Sequence, residues 1–151
     1  MTRFQRLAFI TALATFGLVV VGGIVRVTDA GLGCPDWPFC YGQLIPSLGD
    51  DKAWIEWMHR TLAAVIGFLV LGLAVLGLRQ RRERPGLAVL SVAALVLTGF
   101  QAWLGKVTVE TGNSAGSVTA HLAAAMLLLG LLIAIAVRTR YPAQLARGGT
   151  S

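Results

Sequence analysis

Charge is what this sequence has least of. Only 13% of its 151 residues are Asp, Glu, Lys or Arg, against 56% hydrophobic, and only seven are acidic. A soluble domain of this length rarely carries so little charge, and the mean hydropathy of +0.72 agrees. Apolar runs at this density indicate membrane spans. Histidine and cysteine are equally scarce, with two of each. Two cysteines alone are too few for a tetrahedral zinc site. No A-x-A cleavage site closes the first apolar run, so an uncleaved span is expected there, not a signal peptide. The net charge of +6 raises nucleic acid as a partner, but the basic residues are segregated by loop and argue against it.

Four apolar runs are present, at about 7–27, 55–78, 86–105 and 117–137. Each is long enough to cross ~30 Å of hydrocarbon at 1.5 Å per residue. Lipid obliges the backbone to satisfy its own hydrogen bonds, so the spans are helices. The expected fold is all-α: an integral membrane four-helix bundle forming a single domain over residues 1–140, with 141–151 as a flexible cytoplasmic tail. Nine basic residues (Arg3, Arg6, Arg79, Arg81, Arg82, Arg84, Arg138, Arg140 and Arg147) fall on one side, against Arg26, Lys52, Arg60 and Lys106 on the other. The positive-inside rule then places both termini in the cytoplasm and the long loop before the second span on the outer face. The loop Arg79 to Pro85 reads as a topology determinant in contact with lipid headgroups.

That long loop holds Cys34-Pro35-Asp36-Trp37-Pro38-Phe39-Cys40. Five intervening residues with two prolines can turn the backbone enough to close a small disulfide ring, which an oxidising outer face would favour. A redox-active thiol pair is the other reading. Trp37 and Phe39 suit interfacial anchors, and Asp50 and Asp51 suit the cap of the second helix.

The second span opens with Trp54-Ile55-Glu56-Trp57-Met58-His59-Arg60. Ionisable groups at the mouth of a span are costly and mark a functional site by default. Arg26-Val27-Thr28 after span 1 and Lys106-Val107-Thr108 after span 3 match, and each is followed by a span with a histidine near its outer end. The chain therefore reads as two copies of one helical hairpin, related by an axis along the membrane normal. His59 and His121 lie four residues inside their spans, roughly 6 Å deep. Each could serve only as an interhelical hydrogen bond. A pair at equal depth on equivalent helices suits the two axial positions of a haem iron better. Ala63 and Gly67 below His59, and Ala124 and Ala125 below His121, leave room for a macrocycle, although small residues also pack helices together. Arg26, Arg60 and Lys106 are candidate partners for haem propionates. Arg26 could instead snorkel, and Arg60 could instead pair with Glu56. Glu56 could cap its helix, or act as a carboxylate at a haem edge, stabilising a developing cation or handling protons. Gln101 suits a bond across helices.

Gly-x-x-Arg-Val-Thr-x-x-Gly-Leu-x-Cys-Pro-Asp-Trp-Pro-x-Cys-x-Gly over Gly23 to Gly42, together with Glu56-x-x-His59-Arg60 and His121, resembles the haem A synthase family across nearly the whole chain. The resemblance implies an oxidoreductase converting the C8 methyl of haem O to the formyl of haem A for terminal oxidases. It implies His59 and His121 as haem-iron ligands, Glu56 as the catalytic carboxylate, and Cys34 and Cys40 as a disulfide. The haem bound would be haem O as substrate, haem B as electron carrier, or both. The family is typically built of two such halves, so this chain resembles a half-length member that works as a homo-oligomer or has lost the reaction. The expected setting is the plasma membrane of a prokaryote, with haem O synthase and an electron donor as partners. A non-catalytic haem protein, either an electron-transfer cytochrome or a haem carrier, is the alternative.

Overall fold

A computed structural model describes residues 1–140; the expected tail at 141–151 lies outside the described residues. Four helices account for most of it: α1 (Arg3–Val27), α2 (Asp51–Arg79), α3 (Pro85–Glu110) and α4 (Ala115–Arg138). All four are long and apolar enough to cross a membrane. Together they form the expected membrane four-helix bundle.

α1, α2 and α4 start before their apolar runs, where polar caps carry them on, while α3 runs past the end of its apolar run to Glu110. Thr2 and Gln5 make a reciprocal capping box at α1. Asp50 accepts from the Ala53 amide at 3.0 Å to start α2. Pro85 sits in the first turn of α3, where its missing N–H costs nothing. Ser114 accepts from the Ser117 amide to start α4.

The helices form a square. Neighbours in sequence pack together and α4 closes against α1. No Cα of α1 comes within 8 Å of one in α3, and none of α2 within 8 Å of one in α4. The two diagonals of the square are thus α1–α3 and α2–α4.

Packing is uneven along the bundle axis. At the end where α1 begins and α4 finishes, Phe4 and Ala8 of α1, Val70 and Leu73 of α2, Leu87 of α3, and Leu132 and Ile135 of α4 make a dense core. There α2 and α3 approach so closely that a Cβ on Gly77 would lie 2.9 Å from Ser91 Oγ. Gln5 Nε2 and Arg84 NH1 both donate to the Thr139 carbonyl, at 2.8 and 3.3 Å, tying that end together. At the other end, the buried apolar helix residues larger than alanine are Val25 and Leu104. Lipid offers apolar side chains as good a medium as a neighbouring helix does, so the bundle is held by close van der Waals packing. That packing is concentrated in one half.

Candidate functional site

The loosely packed half carries the histidines. His59 is on α2 and His121 on α4, across one diagonal of the square. The other diagonal supplies a glycine to each. A Cβ on Gly22 of α1 would sit 3.3 Å from His59 Cε1, and one on Gly105 of α3 would sit 3.5 Å from His121 Cε1. The Cε1 edge of each imidazole thus packs close to a neighbouring glycine, where a side chain would crowd it. In the register that pairs Arg26 with Lys106, Ala102 is the counterpart of Gly22, so the two contacts lie about one helical turn apart.

Both imidazoles have a buried Nδ1 with no hydrogen-bond partner. Neither Nε2 is among the buried unpartnered atoms. Gln101 Nε2 donates to the His121 carbonyl at 3.1 Å, the cross-helix bond expected of it, while its Oε1 is buried without a partner. His59 Nδ1, His121 Nδ1 and Gln101 Oε1 are thus three buried polar atoms without a hydrogen-bond partner among the described residues.

Glu56 lies one turn toward the loop from His59 and is 5% exposed. Its Oε1 accepts from Arg60 Nε at 2.8 Å. Asp50 caps the helix, so of the uses open to Glu56 the cap is taken and the Arg60 pair is made. Oε2 accepts no hydrogen bond among the described residues.

Arg60 does more than pair with Glu56. Its NH1 donates to the carbonyls of Asp36 at 2.6 Å and Phe39 at 3.0 Å, and its NH2 to that of Cys34 at 2.8 Å. The guanidinium is therefore largely committed to the long loop. Among the other cations, Lys106 pairs with Glu110 at 3.5 Å. Arg26 is exposed, one turn beyond Gly22 on the same side of α1.

The loop itself is a closed ring. Cys34 and Cys40 form a disulfide with an S–S distance of 2.06 Å, and both are buried. They pack on Ala53 and Trp57 of α2. Gly33 lies against the Lys52 carbonyl so closely that any side chain there would overlap it. Asp36 accepts from the amides of Tyr41 at 2.6 Å and Gly42 at 2.7 Å, both residues having positive φ. Chiefly through the Gly42 amide, these bonds hold the Asp36 carboxyl below the usual carboxylate range. Trp57 Nε1 donates to the Leu44 carbonyl at 2.6 Å, pinning the rest of the loop to α2. Trp37 and Phe39 are exposed on the ring.

Sequence reasoning missed Gly105 and the carboxylate of Asp36. Gly105 carried no pattern of its own. Asp36 had one usable sign, an acid followed at short range by a Tyr-Gly pair that can turn its amides back.

Fold and site together define a multi-pass membrane protein with paired histidines and a disulfide-ringed loop over a buried carboxylate. The sequence model of the COX15-CtaA family, described as cytochrome oxidase assembly protein, matches residues 5–150, and the chain belongs to that family. Similar curated proteins are haem A synthases of bacteria. That of Shewanella oneidensis is 34% identical over 94% of this chain and 47% of its own length. That of Bacillus licheniformis is 37% identical over 84% and 44%, and that of Bacillus pumilus 35% identical over 88% and 47%. The chain thus spans under half the length of these relatives.

Proposed function

We propose that this chain is a haem A synthase-type oxidoreductase, binding haem O between α2 and α4 and converting its C8 methyl to a formyl. The observation that carries the reading is the pair of diagonal imidazoles, each packed against a glycine, in the half of the bundle without a large apolar core. In this reading His59 and His121 hold the haem iron. Imidazole is a common haem ligand, and these two histidines would hold the iron. Iron bound there supplies the redox chemistry.

The chain's own residues do the rest. Glu56 keeps Oε2 for a proton or for charge developing on the reacting carbon. Arg26 is the first choice for a propionate, with Lys106 after it, because Arg60 is engaged by the loop. Turning a methyl into a formyl removes electrons and adds oxygen, so an oxidant and an electron-handling partner are required. One histidine pair serves one haem, and a homo-oligomer provides the second haem this chemistry uses. Both termini lie in the cytoplasm and the cysteine ring faces outward, following the distribution of arginines. The two hairpins act as repeats, each giving one ligand.

Co-expression of the full chain with a haem O source tests the reading. Haem A is expected from the wild-type chain. Glu56→Ala is expected to bind haem with an unchanged bis-histidine spectrum and make none. A Glu56→Ala chain that still makes haem A removes the carboxylate from the mechanism, and the alternative of a non-catalytic haem carrier predicts no haem A from either chain.

A further inference from the structure

Three backbone carbonyls of the Cys34–Cys40 ring converge on one guanidinium. Arg60 reaches Cys34 and Asp36 on one side of the ring and Phe39 on the other, while its Nε–H goes to Glu56. Arginine has five N–H donors in a rigid planar fork. Four are used here, so the plane and position of the fork are fixed from two directions. The Glu56 and Arg60 side chains are 7% and 14% exposed.

The ring is seated firmly enough to serve as an anchor. Its sulfurs are buried, Cys34 Sγ lies 3.6 Å from the Ala53 carbonyl, and Gly33 abuts the backbone of Lys52 and Ala53. The ring rests on the first turns of α2, and Arg60 reaches back to it from two turns further along. Carbonyls this close in sequence converge on one cation only because the disulfide and the Asp36 bonds to Tyr41 and Gly42 curl the backbone. Bulk would not be enough to replace Arg60. A lysine ammonium is a compact charge on a flexible stem and cannot span the carboxylate and three carbonyls at once.

We infer that Arg60 is a positioning residue that uses the disulfide ring as a template to aim Glu56 at the site beside His59. The inference rests on the reading of Glu56 as the working carboxylate. On this view the ring is a static part of the site's architecture, and its shape is passed through the guanidinium to Oε1 of Glu56, leaving Oε2 without a hydrogen bond among the described residues.

The test uses the purified full chain as wild type, Arg60→Gln, Arg60→Lys, Glu56→Gln, Cys34→Ser/Cys40→Ser, and the triple variant joining the serines to Arg60→Gln. Two readouts are taken: the rate at which a phosphine reductant opens the disulfide, followed by thiol labelling, and the fraction of bound haem O converted. Both Arg60 variants are expected to open the ring about tenfold faster and convert bound haem O about tenfold or more slowly, as loss of charge-assisted bonds implies. Their bis-histidine absorbance should be kept. The serine pair should lose conversion to the same degree as Arg60→Gln, and the triple variant no further, because both act through one carboxylate. Glu56→Gln should open its ring at close to the wild-type rate.

Faster ring opening with wild-type conversion per bound haem would overturn the inference, leaving Arg60 as a loop fastener only. So would ring opening at the wild-type rate in both Arg60 variants. Arg60→Lys keeps charge and bulk and carries the test if the glutamine variant fails to accumulate. Should Glu56→Gln convert haem O as well as wild type, the functional reading of Glu56 fails, while ring opening still decides whether Arg60 is held by the loop.

Discussion

The imidazole of His59 lies against Gly22, and a Cβ at that position would sit 3.3 Å from its Cε1. That is tight enough that either the ring or the helix must shift. Gly23, next in sequence, has nothing within 4 Å of a built Cβ. Gly22→Val should therefore displace His59, at a cost of about 1–3 kcal/mol as for other overpacked sites. Gly23→Val should be tolerated. Haem occupancy and Soret position, measured side by side, check this: Gly22→Val should lose occupancy and Gly23→Val should not. Equal spectra would remove Gly22 from the site.

Both histidines are expected to be iron ligands, so His59→Ala and His121→Ala should each change the visible spectrum of the purified haem-bound chain. Gln101→Leu removes the bond to the His121 carbonyl without touching the imidazole. It should alter the spectrum less than His121→Ala does. An unchanged spectrum in either histidine variant would contradict bis-histidine binding.

Gly33 has no room for a side chain against the Lys52 carbonyl. Gly33→Ala should lift the cysteine ring from α2 and destabilise the loop by about 1–3 kcal/mol. Gly116→Ala, with open space around it, should be near neutral. Thermal unfolding and phosphine reduction of the disulfide report on both. A Gly33→Ala ring reduced no faster than wild type would mean the seat on α2 does not matter.

Asp36 gives the ring a dependence on acid. Its carboxyl is held below the ordinary value of 3.8, mainly by the Gly42 amide. A carboxyl with a lowered folded-state pKa stabilises above its unfolded value, and that contribution is lost as pH falls through the folded value. Ring reduction should thus be flat from neutral down to about pH 4 and quicken below it. Asp36→Ala should reduce faster at every pH and lose the acid step. A wild-type ring insensitive down to strong acid would show that the Asp36 bonds do not hold it.

The four helices could be read from the sequence because lipid leaves the backbone no alternative, and long apolar runs state that demand directly. Their ends were set a few residues short, since Thr2, Asp50 and Ser114 extend the helices with polar caps that hydropathy does not register. The Glu56–Arg60 pair was legible from its spacing of four residues on a helix. The ring carbonyls of Arg60 were not, because backbone acceptors have no residue type to betray them and the partners lie far off in sequence. Nor could any local pattern tell that α2 and α4 stand on a diagonal, which depends on how four helices close into a square. The cysteine pair pointed to a ring, but its role as a cradle for one guanidinium appears only once α2 is laid beside it.

The central claim is that a haem held by His59 and His121 is oxidised beside Glu56. The most direct measurement is the mass of the haem extracted from the wild-type chain purified from aerobic cells that supply haem O. The account predicts that part of it carries the formyl of haem A, and that chain with Glu56→Gln returns only haem O. A wild-type chain that binds haem O through both histidines and returns all of it unaltered would contradict the account.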